Sequence, residues 1–370
     1  MSNPVRVLHV VQRMEAGGTQ SLLMNLYRHI DRERLQFDFL VEYTRPQFHD
    51  TEIERLGGHI HRTSVREDYN VPQFCRQLRA LLKTHPEYRI MHVHPYTIGA
   101  FALPVAQRCG VPVRIAHSHN NETVRNLAYL PKLAMQRLYA RHATDLFACS
   151  HEAGEYLFRG RPFHVIRNAI DTQAFRADAA TRTLVRRELG LDAGIVIGHV
   201  GRFHEQKNHR FLIDTFSHVL AREPSAMLLL IGDGPLEPDI RREISHRGLS
   251  GHVLMPGTFH DISRIYQAMD VFVLPSLFEG LGMVAIEAQA VGVPTLVSDT
   301  VSMETRVSPI YARMPLQAGP EAWADRILDL ANMPQAHTDM SVYIRRSGYD
   351  AAETARAMQD WYIRRWEETQ

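Results

Sequence analysis

The stretch VFVLPSLFEGLGMVAIE (271–287) decides the fold class of this chain. Its first six residues, 271–276, form an apolar run that predicts a buried strand. A glycine-bearing turn follows and opens a helix, so free backbone N–H groups lie at the helix N-terminus, beyond the end of the strand. Together with the helix dipole, those groups form a site for anions. The stretch therefore predicts a strand–helix unit of an α/β sheet that binds an anionic group.

Two glutamates in this stretch indicate what else the site binds. Glu279 lies just before the turn, and Glu287 lies eight positions later on the predicted helix. Ionised carboxylates only accept hydrogen bonds, which suits the hydroxyl groups of sugars. A site in which backbone amides bind phosphate and carboxylates bind hydroxyls is a pocket suited to a nucleotide sugar.

The rest of the chain repeats the strand–helix unit. Short apolar runs alternate with longer amphipathic ones, a pattern that predicts parallel sheets with helices on both faces. The strands predicted for the first half are 5–11, 37–42, 59–63, 90–94, 113–119, 145–150 and 163–168. Those predicted for the second half are 195–202, 227–234, 252–257, 271–276 and 294–299.

Two sheets imply two Rossmann-like domains. We place them at 1–170 and 171–348, joined near 166–175, with a closing helix at 349–370 that we expect to return to the first domain. Ligands of open α/β sheets bind beyond the carboxyl ends of the strands. Two such domains facing each other would form a deep cleft, with the chemistry-bearing residues just after the strands.

Composition narrows the class of protein. The chain has 370 residues, enough for two domains, and its formal net charge of +1 gives no global attraction for nucleic acid. It has no apolar run of about 18 residues that would predict a transmembrane helix. Its first residues read as a strand rather than a signal peptide, and its 3 cysteines fit a reducing compartment. These features predict a cytoplasmic protein.

Two further glycine-bearing loops follow predicted strands. In GRFHEQKN (201–208), the cations Arg202 and Lys207 are placed to stabilise a diphosphate leaving group. The alternative is that both are solvated surface cations. In AGGTQ (16–20), Gly17 and Gly18 allow close approach of a phosphate to the backbone, or else serve only a strand–helix turn. The glycines of GDGP (232–235) fit a plain turn.

Four histidines end two predicted strands. His92 and His94 end one strand, and His117 and His119 end another, each pair sharing one face of its strand. Four imidazoles could hold a metal ion, but no acidic or cysteine ligand pattern accompanies them. We therefore predict no metal. Packing or a supporting role suits the first pair, and one member of the second pair is expected to meet a sugar.

A basic segment at 124–142 carries arginine and lysine among leucine, tyrosine and methionine. Such a helix can lie on an anionic membrane surface. The alternative is an ordinary packed helix with a solvated basic face. Pro131 is expected to break the helix near its middle.

The motifs together resemble the retaining glycosyltransferases of family four, which have the two-domain GT-B fold. Within that family the chain is most similar to the EpsF-type exopolysaccharide transferases. The resemblance runs from RVLHVVQRMEAGGTQSLLMNLYRHID near the start to SGYD near the end. Its most specific elements are the two glutamates of EGLGMVAIE and the cations of GRFHEQKN.

The resemblance implies a role for each site residue. Arg202 and Lys207, beside Gly201, would hold the donor diphosphate, and Glu279 would bind hydroxyls of the donor sugar. The other donor contacts it implies are the amides of Gly280, Leu281, Gly282 and Met283, Glu287 on the ribose, Gly17 and Gly18 on the diphosphate, and Thr258 and Phe259 near the base. His119 takes the place of the family's cleft histidine with His117 as the alternative, and Asn120 and His94 would support it or touch the acceptor.

The resemblance also implies a mechanism. The sugar would be transferred with retention by attack on the face that the diphosphate leaves, with the diphosphate helping to deprotonate the acceptor. No metal or other cofactor is implied, because Arg202 and Lys207 would neutralise the diphosphate. The donor would be a nucleotide sugar, usually of uridine, and the acceptor a saccharide, which the resemblance implies is linked to a lipid at the inner face of a bacterial membrane. Here Gln20 replaces the glutamate common in the family, which weakens any acid role there.

Two other functions remain open from the sequence. A nucleotide-sugar 2-epimerase or hydrolase has the same architecture but needs acid and base groups near the sugar C2. A non-catalytic partner subunit would keep the fold and lose the site residues. Arg202, Lys207 and Glu279 are all present.

Overall fold

The computed structural model describes residues 3–15, 17–119, 129–191, 194–259 and 261–370. The chain divides into two compact units. The first comprises Met1–Ile170 with Gly348–Gln370, and the second comprises Asp171–Ser347. Each unit is built around its own parallel sheet, and each is described below by itself.

The first unit contains a seven-stranded sheet in the order β3-β2-β1-β4-β5-β6-β7, with every recorded strand pair parallel. Its strands are β1 (Val5–Val11), β2 (Leu35–Val41), β3 (Ile60–Arg62), β4 (Ile90–Val93), β5 (Val113–Ser118), β6 (Asp145–Ala148) and β7 (His164–Val165). The central strands are buried along nearly their whole length, which is why they read as continuous apolar runs rather than alternating ones.

Helices pack on both faces of this sheet. They are α1 (Gly18–His29), α2 (Asp50–Arg55), α3 (Val65–Asp68), α4 (Val71–Thr84), α5 (Tyr96–Arg108), α6 (Tyr129–Arg141) and α7 (His151–Phe158). Short polar side chains begin two of them: Asn70 accepts a bond from the amide of Gln73, and Ser150 accepts one from the amide of Ala153.

The second unit contains a six-stranded parallel sheet in the order β10-β9-β8-β11-β12-β13. Its strands are β8 (Val196–Val200), β9 (Met227–Ile231), β10 (Val253–Gly257), β11 (Val271–Leu274), β12 (Thr295–Ser298) and β13 (Tyr311–Met314). Its helices are α8 (Ala179–Glu188), α9 (His209–Arg222), α10 (Glu237–His246), α11 (Ile262–Tyr266), α12 (Met283–Ala290), α13 (Gly319–Ala331) and α14 (Ser341–Arg346).

The last helix, α15 (Ala351–Glu367), belongs to the first unit. Asp350 accepts a bond from the amide of Glu353 and begins the helix. Met358 and Tyr362 are buried in the core formed with β1 and α1. The closing segment thus returns to the N-terminal sheet.

The two sheets and their helices confirm the α/β class, and every predicted strand is present with bounds shifted by a few residues. One strand, β13, was missed, because YARM is short, polar in part and lies at the sheet edge. Pro131 lies in the first turn of α6, where proline costs no helical hydrogen bond, so the break predicted within 124–142 stays a prediction. Residues 120–128, including Asn120 and the start of the basic segment, lie outside the described residues. Among the described helices, none has both the length and the apolar character that crossing a membrane requires.

Candidate functional site

Strand order locates the ligand edge of each sheet. In the first sheet the order reverses between β1 and β4, and in the second it reverses between β8 and β11. Ligands of open parallel sheets bind beyond the carboxyl ends of the strands at such a reversal. Gly17 follows β1 and His94 follows β4, while Arg202 follows β8 and Glu279 follows β11. The predicted site residues therefore flank the reversal point of their own sheet.

An ion pair joins the two loops at the reversal point of the second sheet. Lys207 Nζ lies 2.5 Å from Glu279 Oε1, and both side chains are largely shielded from solvent. Ser276 Oγ donates to the same carboxylate oxygen at 2.7 Å. The backbone of the two loops is tied as well, since Leu277 N donates to the carbonyl of Gln206 at 2.8 Å. The lysine and the glutamate expected to grip the donor are thus brought together and held.

Gly201 makes room for the lysine stem. A Cβ at Gly201 would lie 3.0 Å from Lys207 Cε and 3.1 Å from Nε2 of His199. His199 is fully buried, and its Nδ1 lies 2.8 Å from the carbonyl of Val273, so Nδ1 carries the proton and donates. Burial also lowers the pKa of His199 well below its usual value. The glycine is needed here because the lysine stem and a neutral histidine pack against its backbone.

Arg202 is placed differently from Lys207. Its side chain is exposed, and among the described residues it has no hydrogen-bond or ion-pair partner. A guanidinium with five free donors is suited to a multiply charged oxyanion. The structure thus offers one paired and one unpaired cation on the loop after β8.

The turn of the quoted stretch has the expected form. Gly282 takes a left-handed conformation, with φ of 79°, and precedes the first residue of α12, Met283. Gly280 is exposed, and a Cβ there would meet no atom within 4 Å. Leu281 is buried, so it can offer only its backbone to a ligand. Open backbone and the free first amides of α12 meet beside Glu279.

Glu287 lies one turn further along α12. Its Oε2 accepts a bond of 2.9 Å from the hydroxyl of Tyr266. Burial raises the pKa of Glu287, while the Tyr266 hydroxyl and the charge of Lys207 act in the opposite direction. Glu287 lies on the same helix whose first residues follow Glu279. Its other carboxylate oxygen keeps accepting capacity for a hydroxyl.

Thr258 and Phe259 are less closely connected to this cluster. Both are exposed and follow β10, which lies at the sheet edge two strands from β8. Phe259 shows 36% of its surface, a large value for an aromatic side chain. The ring of Phe259 is therefore accessible to solvent, and among the described residues it makes no recorded contact with Lys207 or Glu279.

In the first unit, Gly17 and Gly18 open α1 and both are exposed. A Cβ at Gly17 would lie 2.6 Å from Oε1 of Gln20. The amide of Gln20 is in turn used within the loop, since its Nε2 donates to the carbonyl of Arg13 at 2.8 Å. Gln20 therefore braces the loop after β1, and Gly18 is the position where a ligand could approach the backbone.

The histidines form a connected core beneath the ligand edge of the first sheet. His9 Nδ1 lies 3.1 Å from His94 Nε2, and His94 Nδ1 lies 2.8 Å from His119 Nε2. His92 Nε2 lies 3.0 Å from His117 Nδ1. Burial lowers the pKa of His9 and His119 to about 3. These imidazoles are therefore neutral at physiological pH.

Two sets of three rings bring ligand atoms within 4.8 Å of one another, namely His9, His92, His94 and His94, His117, His119. Among the described residues neither set includes a carboxylate or a cysteine. The nitrogen atoms that face each other are at hydrogen-bond separation, so they serve one another as donor and acceptor. The arrangement favours a hydrogen-bonded core over a metal centre.

Three supporting residues were missed by the sequence analysis. Ser276 and Gln206 lie inside quoted motifs, so their position just after β11 and just before Lys207 was the available signal. Tyr266 ends α11 and has no local signal, because its contact with Glu287 arises only through packing of α11 on α12.

Comparisons with known proteins identify the family to which the chain belongs. The family described as "Glycosyl transferase 4-like domain" matches residues 17–169, and the family "Glycosyl transferases group 1" matches residues 194–333. The chain is 34% identical over 373 residues to the Bacillus subtilis (strain 168) protein named "Putative glycosyltransferase EpsF", covering 98% of this chain and 97% of that protein.

More distant similarities extend the comparison. The UDP-Gal:alpha-D-GlcNAc-diphosphoundecaprenol alpha-1,3-galactosyltransferase of Escherichia coli is 24% identical, with 80% of this chain and 79% of that protein covered. Among solved structures, Anabaena HepE in complex with UDP superposes with a TM-score of 0.78 at 19% identity, covering 96% of this chain and 98% of that one.

Proposed function

Because the chain belongs to the group 1 glycosyltransferases and has the GT-B fold, we propose that it transfers a sugar from a uridine-diphosphate sugar to a saccharide acceptor, with retention, in bacterial surface polysaccharide synthesis. The observation that carries the proposal is the cluster at the β8–β11 reversal point: the Lys207–Glu279 pair, the exposed Arg202 and the open N-terminus of α12. At that point two cations that could bind a diphosphate lie next to a carboxylate that could bind sugar hydroxyls.

The donor would occupy the second unit. Lys207 has three N–H donors, so it can keep its bond to Glu279 and also donate to a phosphate oxygen. Arg202 supplies the second cation, and the amides of Gly280 to Met283 supply neutral donors. Glu279 would accept from hydroxyls of the sugar, and Glu287 from hydroxyls of the ribose. Thr258 and the open face of Phe259 would lie near the base.

Uridine is favoured by similarity. The Escherichia coli relative is named for UDP-Gal, and HepE has been solved with UDP and with UDP-glucose. We propose that no divalent metal is required, because Lys207 and Arg202 can neutralise the diphosphate that develops charge as the bond to the sugar breaks. Neither point names the sugar.

Retention would follow from attack on the face that the diphosphate leaves. The bond from the sugar C1 to the diphosphate oxygen breaks, the bond from C1 to the acceptor oxygen forms, and the acceptor proton passes to the departing diphosphate. Glu279 is bound to Lys207 and Ser276, an arrangement suited to holding hydroxyls rather than to attacking C1. The protein would supply orientation and charge stabilisation.

The acceptor would bind at the first unit, at the edge formed by Gly18, His94, His117 and His119. The relative that acts on a diphosphoundecaprenol-linked sugar makes a lipid-linked saccharide a reasonable acceptor. On α6, Arg137, Leu138 and Arg141 are exposed while Tyr139 is fully buried. We propose that this exposed basic face touches the anionic surface that carries the acceptor, which would make the protein a peripheral one at the inner face of the membrane.

The other candidate functions have less support. A 2-epimerase or hydrolase needs acid and base groups, whereas Lys207 and Glu279 neutralise each other. A non-catalytic subunit is not favoured, because Arg202, Lys207, Glu279 and Glu287 are all present and the first three lie at the proposed donor site. Product analysis of the protein with donor alone separates transfer from epimerisation and hydrolysis.

The direct test is the melting temperature with UDP, GDP or ADP, each with excess EDTA. A ligand bound only by the folded state stabilises it by about 2.7 kcal/mol at a hundred times its Kd. We expect UDP alone to raise the melting temperature, and Arg202→Ala to remove most of the rise. No rise with any nucleotide, or with intact UDP-sugars, would count against the donor site. A rise seen only when EDTA is replaced by a divalent metal ion would contradict the metal-free site.

A further inference from the structure

The histidine core of the first unit is arranged as two rows of rings, which the proposed donor chemistry does not explain. The first row is His9–His94–His119, joined by bonds of 3.1 and 2.8 Å. The second row is Tyr362–His92–His117, in which the Tyr362 hydroxyl lies 2.5 Å from His92 Nδ1. Each row begins in the core and ends at a histidine of β5 or just after it.

The first row admits only two proton arrangements. Each neutral imidazole carries one ring proton, so the three rings donate either all through Nδ1 or all through Nε2. If they donate through Nδ1, His119 presents Nδ1–H and His9 keeps a lone pair on Nε2. If they donate through Nε2, His9 is left with an N–H and His119 presents a lone pair on Nδ1.

The surroundings of His9 favour the first arrangement. Its ring lies 4.3 Å from Phe37 and 5.7 Å from Phe39, measured between centroids, and its Nε2 has no hydrogen-bond partner among the described residues. A buried N–H without a partner is rarer than an acceptor without one. The lone pair therefore belongs at the closed end of the row, and the free N–H belongs to His119 at the strand end.

We propose that His94 is a positioning residue that holds the ring of His119 through Nε2 and so presents Nδ1–H of His119 as a hydrogen-bond donor to a hydroxyl oxygen of a bound sugar. This inference rests on the proposed transferase function. Nδ1 of His119 is buried and has no partner among the described residues, as expected of a donor whose acceptor belongs to a ligand. The row ends at His9 without a further acceptor among the described residues, so it orients a ring and does not carry a proton away.

The second row behaves independently. Among the described residues the hydroxyl of Tyr362 meets only His92, and burial raises the pKa of Tyr362 well above its usual value. Tyr362 therefore donates to Nδ1 of His92, whose Nε2–H then donates to His117. The direction of hydrogen-bond donation in the second row is set by Tyr362 of α15. A change at Tyr362 should therefore alter this row and leave the tautomer of His119 unchanged.

Two substitutions at His94 separate positioning from packing. The amide of asparagine reaches the place of a histidine Nδ1, and the amide of glutamine reaches the place of Nε2. His94→Asn should therefore keep the bond to His119, and His94→Gln should keep only the bond to His9. We expect His94→Gln to lower kcat about tenfold more than His94→Asn, the effect of one hydrogen bond, with similar KM for the donor. Equal kcat in the two variants would overturn the proposal.

A measurement without turnover gives an independent answer. In protein labelled with ¹⁵N-histidine, the signals of His119 are identified by their loss in His119→Asn, and their shifts report which ring nitrogen carries the proton. We expect a protonated Nδ1 in the native protein and in Tyr362→Phe, and a mixture in His94→Gln. A protonated Nε2 in the native protein would overturn the inference. The expected tautomer in a protein that transfers no sugar would instead sink the proposed function and leave the positioning by His94 standing.

Discussion

Lys207 and Glu279 neutralise each other at a place that water hardly reaches. Their side chains are 14% and 7% exposed, and the joining distance is 2.5 Å. An ion pair so placed gains little over apolar packing, but removing one partner leaves the other charge buried and unpaired. The pair is therefore not a large net source of stability, and its partial burial is consistent with the donor-binding role proposed above.

A double-mutant cycle tests the coupling of this pair. We expect Lys207→Met and Glu279→Gln each to lower the free energy of unfolding of the second unit by about 2–4 kcal/mol, and the double variant to lose clearly less than the sum. Trp323, buried in that unit, reports unfolding in a Trp361→Phe/Trp366→Phe background. Strictly additive losses would mean that the two side chains act separately.

The sequence was informative about which residues lie at the strand ends, and much less so about the residues that hold them in place. The spacing of Arg202, Lys207 and Glu279 after apolar runs was enough to predict one cluster, because strand ends of a parallel sheet share an edge. The bond from Tyr266 to Glu287 could not be predicted, since it depends on how α11 packs on α12. Nor could the pairing of His9 with His94, which requires the strand order β1-β4.

At the scale of elements, the turn after β9 shows why GDGP contains two glycines. Gly234 has φ of 152°, and a Cβ there would lie 2.5 Å from the carbonyl oxygen of Phe203. A Cβ at Gly232 would lie 2.1 Å from the carbonyl oxygen of Gly201. The turn after β9 thus packs directly on the loop that follows β8. This favours the interpretation that the two glycines of GDGP serve a structural turn.

Because of this packing, we expect that adding one methyl group at Gly234 strongly lowers stability. Gly234→Ala should lower the free energy of unfolding by about 3 kcal/mol or more, because both the backbone conformation and the contact with Phe203 are incompatible with a Cβ. Gly251→Ala is the matched control, since a Cβ there meets nothing within 4 Å. The measurement is the melting temperature of each variant. Equal values would show that a Cβ at position 234 does not clash with Phe203.

Elements were predicted best where burial forced a continuous apolar run. β1, β2 and β11 were identified because both faces of these strands are covered by helices or by other core residues. β13 was missed because an edge strand needs no such run: Ala312 is buried, whereas Arg313 is exposed. Pro131 is compatible with α6 because it lies in the first turn, where backbone amides have no acceptor within the helix.

At the scale of the whole molecule, the two units differ in how many neutral histidines they bury. The first unit holds His9, His92, His94, His117 and His119, whose pKa values burial lowers to about 3 or well below the usual value. The second unit holds His199 and His209, whose pKa values are lowered for the same reason, that of His209 to about 4. Within the described part of the chain, burial also raises the pKa of Glu42 to about 7 in the first unit and raises that of Glu287 in the second. These two carboxyl groups act in the opposite direction.

Acid should therefore unfold the first unit before the second. Below about pH 6.5 the unfolded chain takes up a proton at each histidine while the folded unit does not, so stability falls with falling pH, by up to about 1.4 kcal/mol per pH unit for each. Asp38 and Asp270 contribute only later. Burial alone would raise the pKa of each. Arg6 holds the pKa of Asp38 below its usual value, and the bond with His337, the amide of Val196 and two arginines do the same for Asp270, so their stabilisation is lost below about pH 4.

Fluorescence can follow the two units separately during an acid titration. Trp361 and Trp366 belong to the first unit and Trp323 to the second, so Trp323→Phe and Trp361→Phe/Trp366→Phe each leave one unit visible. We expect the first-unit signal to change at the higher pH, and His9→Phe to move that transition toward lower pH by removing one group that the unfolded chain protonates. A second unit that unfolds first, or a transition insensitive to His9→Phe, would show that the buried histidines do not set the acid limit.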